Sequence, residues 1–242
     1  MKKVLLIDSG SGGANVLLQC VKNAPFFDYL LFCDNKNLPY GNKSKNCLLS
    51  ITLKNLRKIK KVFDYEIVIF ACNTLTATCL EKCKEKFSKI TFLGVTPALE
   101  DALEKYEERD VVVVATEQTL INSEIIRLHK NVACKIIPNL AMLIDKNLDN
   151  LECLEEYLKG CFSGQNPKAV VLGCTHYVAI LEILKKILPK TEFFSGERRV
   201  AEVLKSLKDE ERANFQVQFL VSKEDDFLSK MLFYFNKKSE II

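Results

Sequence analysis

The chain has only two histidines among 242 residues, no C-x-x-C pair, no G-x-G-x-x-G turn and no large excess of either charge. Each absence closes off a class of function. His129 and His176, with Cys79 and Cys83 four residues apart, do not complete the second ligand pair that a tetrahedral zinc site needs, so no metal is expected. Without C-x-x-C there is no usual dithiol redox motif. The Gly10-x-Gly12-Gly13 turn lacks the dinucleotide spacing, and the Asp8 carboxylate beside it would repel a phosphate. No apolar run approaches the ~20 residues of a membrane span. The net charge of +4 comes from 35 basic and 31 acidic residues spread along the chain. Pairs such as Lys60-Lys61 and Lys185-Lys186 therefore read as solvated helix faces, with no nucleic-acid patch. Asp8 cuts the apolar run after Met1-Lys2-Lys3 too early for a signal peptide, so a cytoplasmic protein is expected. Its ten cysteines then read as reduced thiols.

What is present is a hydrophobic composition of 48%, ample for a buried core, and two apolar segments of the same design. Ile67-Val68-Ile69-Phe70 runs into Ala71-Cys72-Asn73-Thr74, and Ala169-Val170-Val171-Leu172 runs into Gly173-Cys174-Thr175-His176-Tyr177. Such unbroken aliphatic runs suit strands buried on both faces of a parallel sheet covered by helices. Ligands in open α/β sheets sit beyond the carboxyl ends of the strands, so each segment delivers a thiol where site residues belong. The other eight cysteines read as small buried hydrophobes or incidental thiols.

Taken in order, the chain alternates strands and helices. A strand at 4–7 leads through Asp8-Ser9-Gly10-Ser11-Gly12-Gly13 into a helix ending near 21, with Asp8 a charged site group and Ser9 a substrate donor in preference to simple helix caps. A strand at 29–33 precedes Leu38-Pro39-Tyr40-Gly41, a loop able to offer backbone N–H groups and the Tyr40 ring to a ligand, or a plain surface turn. Helices follow at 45–62 and 73–86, strands at 67–70 and 90–95. Cys72 thus stands just before a helix N-terminus, where the dipole is expected to lower its thiol pKa. Beyond Thr96-Pro97 the pattern restarts, with a helix at 98–106, a strand at 111–115, a helix from Thr116 to His129, and a strand at 133–137. Helices at 139–146, 152–161 and 178–188 and the strand at 169–173 complete this part, and Ser195-Gly196 reads as a structural turn. A helix at 197–207, a strand at 215–221 and a final helix then return to the first part. Asp8 precedes Cys72 by 64 residues and Thr116 precedes Cys174 by 58. The expected fold is therefore α/β with two pseudo-symmetric lobes, each a mostly parallel sheet flanked by helices, and a cleft between them. Residues 1–96, completed by 197–242, form one lobe and 97–196 the other.

Two thiols placed alike define the chemistry. Asp8 is positioned to accept a proton from Cys72, because first and third strands often lie side by side, and His176 is the natural partner of Cys174. A Cys-His hydrolase has no use for a second equivalent thiol. Two opposed thiols suit proton removal from one face of a carbon and delivery to the other, which is stereoinversion by two bases. Ser9, Asn73, Thr74, Thr116, Thr119 and Thr175 supply neutral donors for carboxylates, so an amino acid with one or two carboxylates is the implied ligand.

The ordered segments Asp8-Ser9-Gly10-Ser11-Gly12-Gly13, Pro39-Tyr40-Gly41, Ala71-Cys72-Asn73-Thr74, Ala115-Thr116 with Thr119, and Leu172-Gly173-Cys174-Thr175-His176-Tyr177 resemble those of the bacterial glutamate racemase family. The resemblance implies a PLP-independent isomerase without cofactor, interconverting L- and D-glutamate and supplying D-glutamate for peptidoglycan. It implies that Cys72 deprotonates one enantiomer and Cys174 the other, with Asp8 and His176 assisting. Substrate contacts would fall on Ser9, Pro39, Tyr40, Gly41, Asn73, Thr74, Thr116, Thr119 and Thr175, and the protein would be a homodimer. The chain departs from the family at Thr96-Pro97, where a preceding acid is missing. It departs again at Asp145, where the usual acidic helper is Glu, and at Val178, where Pro is often found. A racemase of a related acid such as aspartate, or a non-catalytic amino-acid-binding protein on the same scaffold, are the alternatives.

Overall fold

The structure is a computed structural model that describes residues 2–208 and 215–239. Its first sheet is built from β1 (Lys3–Asp8), β2 (Asp28–Cys33), β3 (Ile67–Phe70), β4 (Thr91–Gly94) and β9 (Val217–Val221), in the order β4-β3-β1-β2-β9. The second comprises β5 (Val111–Ala115), β6 (Ala133–Lys135), β7 (Ala169–Gly173) and β8 (Glu192–Ser195), in the order β6-β5-β7-β8. Every pairing is parallel. Counted from its own first strand, each sheet has the same order, with second, first, third and fourth strands side by side. The two halves anticipated from the spacing are thus one topology used twice. β9 adds an edge strand to the first sheet, pairing with β2 after the chain has built the second sheet.

Parallel neighbours need crossovers, and α1 (Gly12–Asn23), α2 (Lys45–Lys60) and α3 (Asn73–Lys86) supply them in the first half. Side chains alternate across each strand, which divides the core cleanly. Val4 and Leu6 of β1 face a cluster that also holds Val16 and Leu17 of α1 together with Val170 and Leu172 of β7. Leu5 and Ile7 face the opposite way, onto Leu48 and Leu56 of α2 and Leu75 and Cys79 of α3. Val111, Val113 and Val171 turn to a third cluster with Leu99 and Ala102 of α4 (Leu99–Leu103) and Ile126 of α6 (Glu124–Leu128). The largest cluster is therefore shared by the two sheets, with α1 between them. Among the described residues no helix is long and apolar enough to cross a membrane.

Several boundaries differ from those read in the sequence. The helix expected from Thr116 to His129 is two, α5 (Glu117–Asn122) and α6, because Ser123 takes an extended conformation (φ −73°, ψ 117°). Asn and Ser are weak helix formers, so a break there is inexpensive. The helix expected over 178–188 begins as a tight 3-10 turn at Thr175–Ile180 and becomes α-helical only as α9 (Leu181–Ile187). Residues 192–195, assigned no strand in the sequence, form β8, which is held by β7 and by packing of Phe194 edge-on against Tyr106. The helices α7 (Leu140–Lys146), α8 (Glu155–Cys161), α10 (Glu197–Ser206) and α11 (Phe227–Ser239) complete the chain. Asn139, expected inside α7, caps it in the left-handed region at φ 56°.

Candidate active site

Four strand ends converge on one region. Asp8 ends β1, Cys72 follows β3, Thr116 follows β5 and Cys174 follows β7, so each half contributes the ends of its two central neighbours. Cys72 and Cys174 are each 6% exposed, and they lie close enough that a charge on Cys174 acts on Cys72.

Around Cys174 the charged groups are buried and tightly linked. Its Sγ is 3.8 Å from His176 Nδ1. On the other edge of the ring, Nε2 is 3.3 Å from Asp145 Oδ2 and 3.9 Å from Asp8 Oδ1, within ion-pair range but without the alignment of a hydrogen bond. Burial works against a charged imidazole, yet the carboxylates of Asp145 and Asp8 outweigh it and hold His176 well above its ordinary range. At neutral pH the ring is therefore an imidazolium, next to a sulfur that can exchange a proton with it. Asp145 is itself held by Ser11, whose backbone N–H donates to Oδ1 at 3.2 Å and whose hydroxyl donates to the same oxygen. The shorter Asp thus still reaches the imidazole.

Asp8 is fully buried. It accepts from the Gly10 N–H at 2.8 Å, from Thr175 Oγ1 at 3.1 Å and from Ser9 Oγ at 3.4 Å. Burial raises its pKa against the lowering influence of His176 and the Gly10 N–H. A carboxylate held above its usual range is a better match for accepting a proton from a thiol. Asp8 reaches Cys72 through its charge, while its hydrogen bonds go to its own turn and to Thr175.

The sequence reading placed Cys72 where a helix dipole should lower its pKa, and this expectation fails. Burial, followed by the negative charges of Asp8 and Cys174, raises the thiol well above its ordinary value. The backbone N–H groups of Leu75 and Thr74 at the start of α3 pull the other way and are outweighed. Cys72 is accordingly a protonated thiol at neutral pH.

Neutral groups line the junction between the halves. Thr74 Oγ1 lies 2.7 Å from Thr116 Oγ1 and 3.2 Å from Thr119 Oγ1, and the latter two are 2.9 Å apart. The backbone of Gly41 presses on this trio, since a Cβ there would fall 2.8 Å from Thr116 Cβ. Asn73 is 3% exposed and, among the described residues, its Oδ1 has no hydrogen-bond partner, leaving a buried acceptor unmet. Tyr40 is 1% exposed and donates its hydroxyl to Asp34 Oδ2 at 2.8 Å. Its ring belongs to the wall behind Cys72, with the hydroxyl committed elsewhere. Pro39, just before it, fixes an extended entry to the turn (φ −86°, ψ 143°).

Fourteen residues singled out in the sequence are thus Asp8, Ser9, Pro39, Tyr40, Gly41, Cys72, Asn73, Thr74, Thr116, Thr119, Asp145, Cys174, Thr175 and His176. The structure joins most of them by contacts across the two halves. Ser11 was read only as part of a glycine-rich turn. Its signal is weak, because a serine before a helix usually reads as a cap, and here its side chain makes no cap bond.

No family model matches the chain. The glutamate racemase of Clostridium acetobutylicum is 30% identical over 220 residues, covering 84% of this chain and 83% of its own length. That of Buchnera aphidicola from Acyrthosiphon pisum is 29% identical over 246 residues, covering 95% and 94%. The fold is that of the Escherichia coli glutamate racemase solved with L-glutamate and the activator UDP-MurNAc-Ala. The TM-score is 0.84 at 23% identity, over 98% of this chain and 95% of that one. With the duplicated α/β sheets and a thiol after the third strand of each, these likenesses lead to one conclusion: the chain belongs to the glutamate racemase family.

Proposed function

We propose that the protein interconverts L- and D-glutamate by two-base proton transfer at Cα, with Cys72 and Cys174 as the acid and base. The observation that carries this reading is the doubled thiol, one after β3 and one after β7, each beside a different ionisable partner. Cys72 is held as a thiol by burial and by Asp8, and Cys174 faces an imidazolium 3.8 Å away. Cys174, as thiolate beside His176, removes the Cα proton of one enantiomer, and Cys72 delivers its own proton to the other face. Product then leaves with Cys174 as thiol and Cys72 as thiolate, the state that accepts the opposite enantiomer. Asp8, on the Cys72 side, and His176, on the Cys174 side, return these protons between turnovers.

Negative charge grows on the substrate's α-carbon and carboxylate as the proton leaves. The hydroxyls of Thr74, Thr116, Thr119 and Thr175, the Ser9 side chain and the backbone at Gly41 offer neutral donors to the carboxylates. The unmet Oδ1 of Asn73 suits the ammonium group. Pro39 and Tyr40 form the wall, and Asp145 holds the imidazolium. In this reading 1–96 with 197–242 and 97–196 act as the two lobes. The product serves peptidoglycan synthesis, and the enzyme works in the cytoplasm as a homodimer.

The test is incubation with L-glutamate in D2O, with aspartate in parallel. Deuterium should enter Cα and D-glutamate should appear, while Cys72→Ser and Cys174→Ser should abolish racemisation in both directions. Folded protein that neither exchanges the proton nor makes D-glutamate would refute the reading, and turnover of aspartate alone would reassign the substrate.

A further inference from the structure

We propose that Asn15 and Tyr234 are positioning residues for the second thiol, holding from behind the turn that carries Cys174 and His176; this rests on the racemase reading above. Asn15 lies on α1 and is 7% exposed. Its Nδ2 donates to the Thr175 backbone carbonyl at 3.0 Å, across 160 residues of sequence. Tyr234, on α11 and 3% exposed, donates its hydroxyl to Asn15 Oδ1 at 2.6 Å.

The direction of this relay is fixed by chemistry. A carbonyl only accepts, so the amide nitrogen of Asn15 must face Thr175 and the amide oxygen must face away. The Tyr234 hydroxyl meets that oxygen. With both ends of a buried amide satisfied, the side chain has no competing orientation. Thr175 is then held at two points, its carbonyl by Asn15 and its hydroxyl by Asp8. Gly12, one turn earlier on α1, packs against the same turn, with no room for a Cβ beside Thr175 Oγ1 and His176 Nδ1. One face of α1 therefore cradles the segment between the thiol and its imidazolium, and the last helix of the chain locks that face. Removing the lock leaves every reacting group in place but loosens the register between Cys174 Sγ and the substrate carbon.

The test uses Tyr234→Phe, which deletes only the hydroxyl, and Asn15→Leu, which replaces the amide by an apolar group of similar size and carries the test if the first variant does not fold. Because the equilibrium constant of a racemisation is one, kcat/KM falls equally in both directions. We expect a loss of about tenfold, mostly in kcat, with KM within about twofold. The discriminating readout is the primary isotope effect with α-deuterated substrate of each hand. Weakening Cys174 alone raises the effect for the enantiomer whose proton Cys174 removes and lowers it for the other. His176→Gln should produce the same sense of asymmetry. Unchanged kcat in a folded variant, or isotope effects that move alike for both enantiomers, would overturn the inference while leaving the racemase reading intact. A wild-type protein without racemase activity would overturn both.

Discussion

Replacing Gly12 by alanine tests how closely the two halves must approach for the chemistry to run. Gly12 lies outside the left-handed region, so alanine meets no backbone penalty there and the whole effect is collision. The new Cβ would fall 2.5 Å from Thr175 Oγ1, 2.6 Å from His176 Nδ1 and 2.8 Å from the His176 backbone nitrogen. Ordinary contact begins at 3.4 Å, so even the backbone nitrogen is 0.6 Å too near. The threonine hydroxyl can rotate away at the loss of its bond to Asp8, but the imidazole and the backbone cannot move without shifting the turn. Relief therefore needs a displacement of about half an ångström between α1 and the Cys174 turn. Overpacking of this kind costs about 1–3 kcal/mol. At ~2–4 °C per kcal/mol for a chain of this size, the melting temperature should drop measurably. A misplacement of about 1 Å can cost about a hundredfold in rate, so half of that predicts roughly tenfold in kcat/KM. Gly160→Ala on α8 is the control. Among the described residues nothing lies within 4 Å of its added Cβ, so it should stabilise the protein by ~0.5–1 kcal/mol and leave turnover unchanged. A Gly12→Ala protein with wild-type kcat/KM would refute the argument that this contact sets the thiol geometry.

Asp8→Asn removes the charge that, after burial, most raises the Cys72 thiol. The acid limb of the pH profile for the enantiomer deprotonated by Cys72 should move to lower pH, while maximal kcat falls by about tenfold or more for want of the proton acceptor; an unmoved limb counts against the coupling. Asp145→Asn withdraws the leading influence that raises His176, so the alkaline limb should move to lower pH. The sign for stability follows, because an imidazolium favoured in the folded state contributes fully below the unfolded value of about 6.5. That contribution fades as pH rises through the higher folded value, and in Asp145→Asn it fades earlier, a difference that melting curves against pH will register. Thr74→Val keeps shape but removes one hydroxyl of the trio linking α3 to α5. KM for glutamate should rise by about tenfold with a smaller change in kcat, and an unchanged KM would remove Thr74 from substrate binding.

Much of this architecture was legible in the sequence because its signals are local. Runs such as 67–70 and 169–173 are apolar at every position and end on a cysteine, and the Asp8-to-Cys72 and Thr116-to-Cys174 spacings expose the repeat. What escaped notice depends on partners far along the chain. The 3-10 turn at Thr175–Ile180 packs against α1, and no helical periodicity encodes that. The α3 dipole and the Asp8 carboxylate beside Cys72 are both legible from position but act in opposite senses, and the burial that outweighs the dipole depends on packing across the whole chain. Asn15 and Tyr234 are separated by 219 residues and each sits in an ordinary amphipathic helix, so neither carried a local cue. Ser11 and Asp145 meet across 134 residues in the same way.

The repeated strand order carries one more consequence. Substrate and product of an inversion are mirror images, but two segments of L-amino-acid chain can be superposed only by a rotation, never by reflection. A duplicated scaffold therefore cannot offer the two hands identical surroundings, and here the inequality is visible in the carboxylate of Asp8 acting on Cys72 and the ring of His176 lying 3.8 Å from Cys174. On the proposed two-base reading, the two directions of the reaction therefore begin from different surroundings.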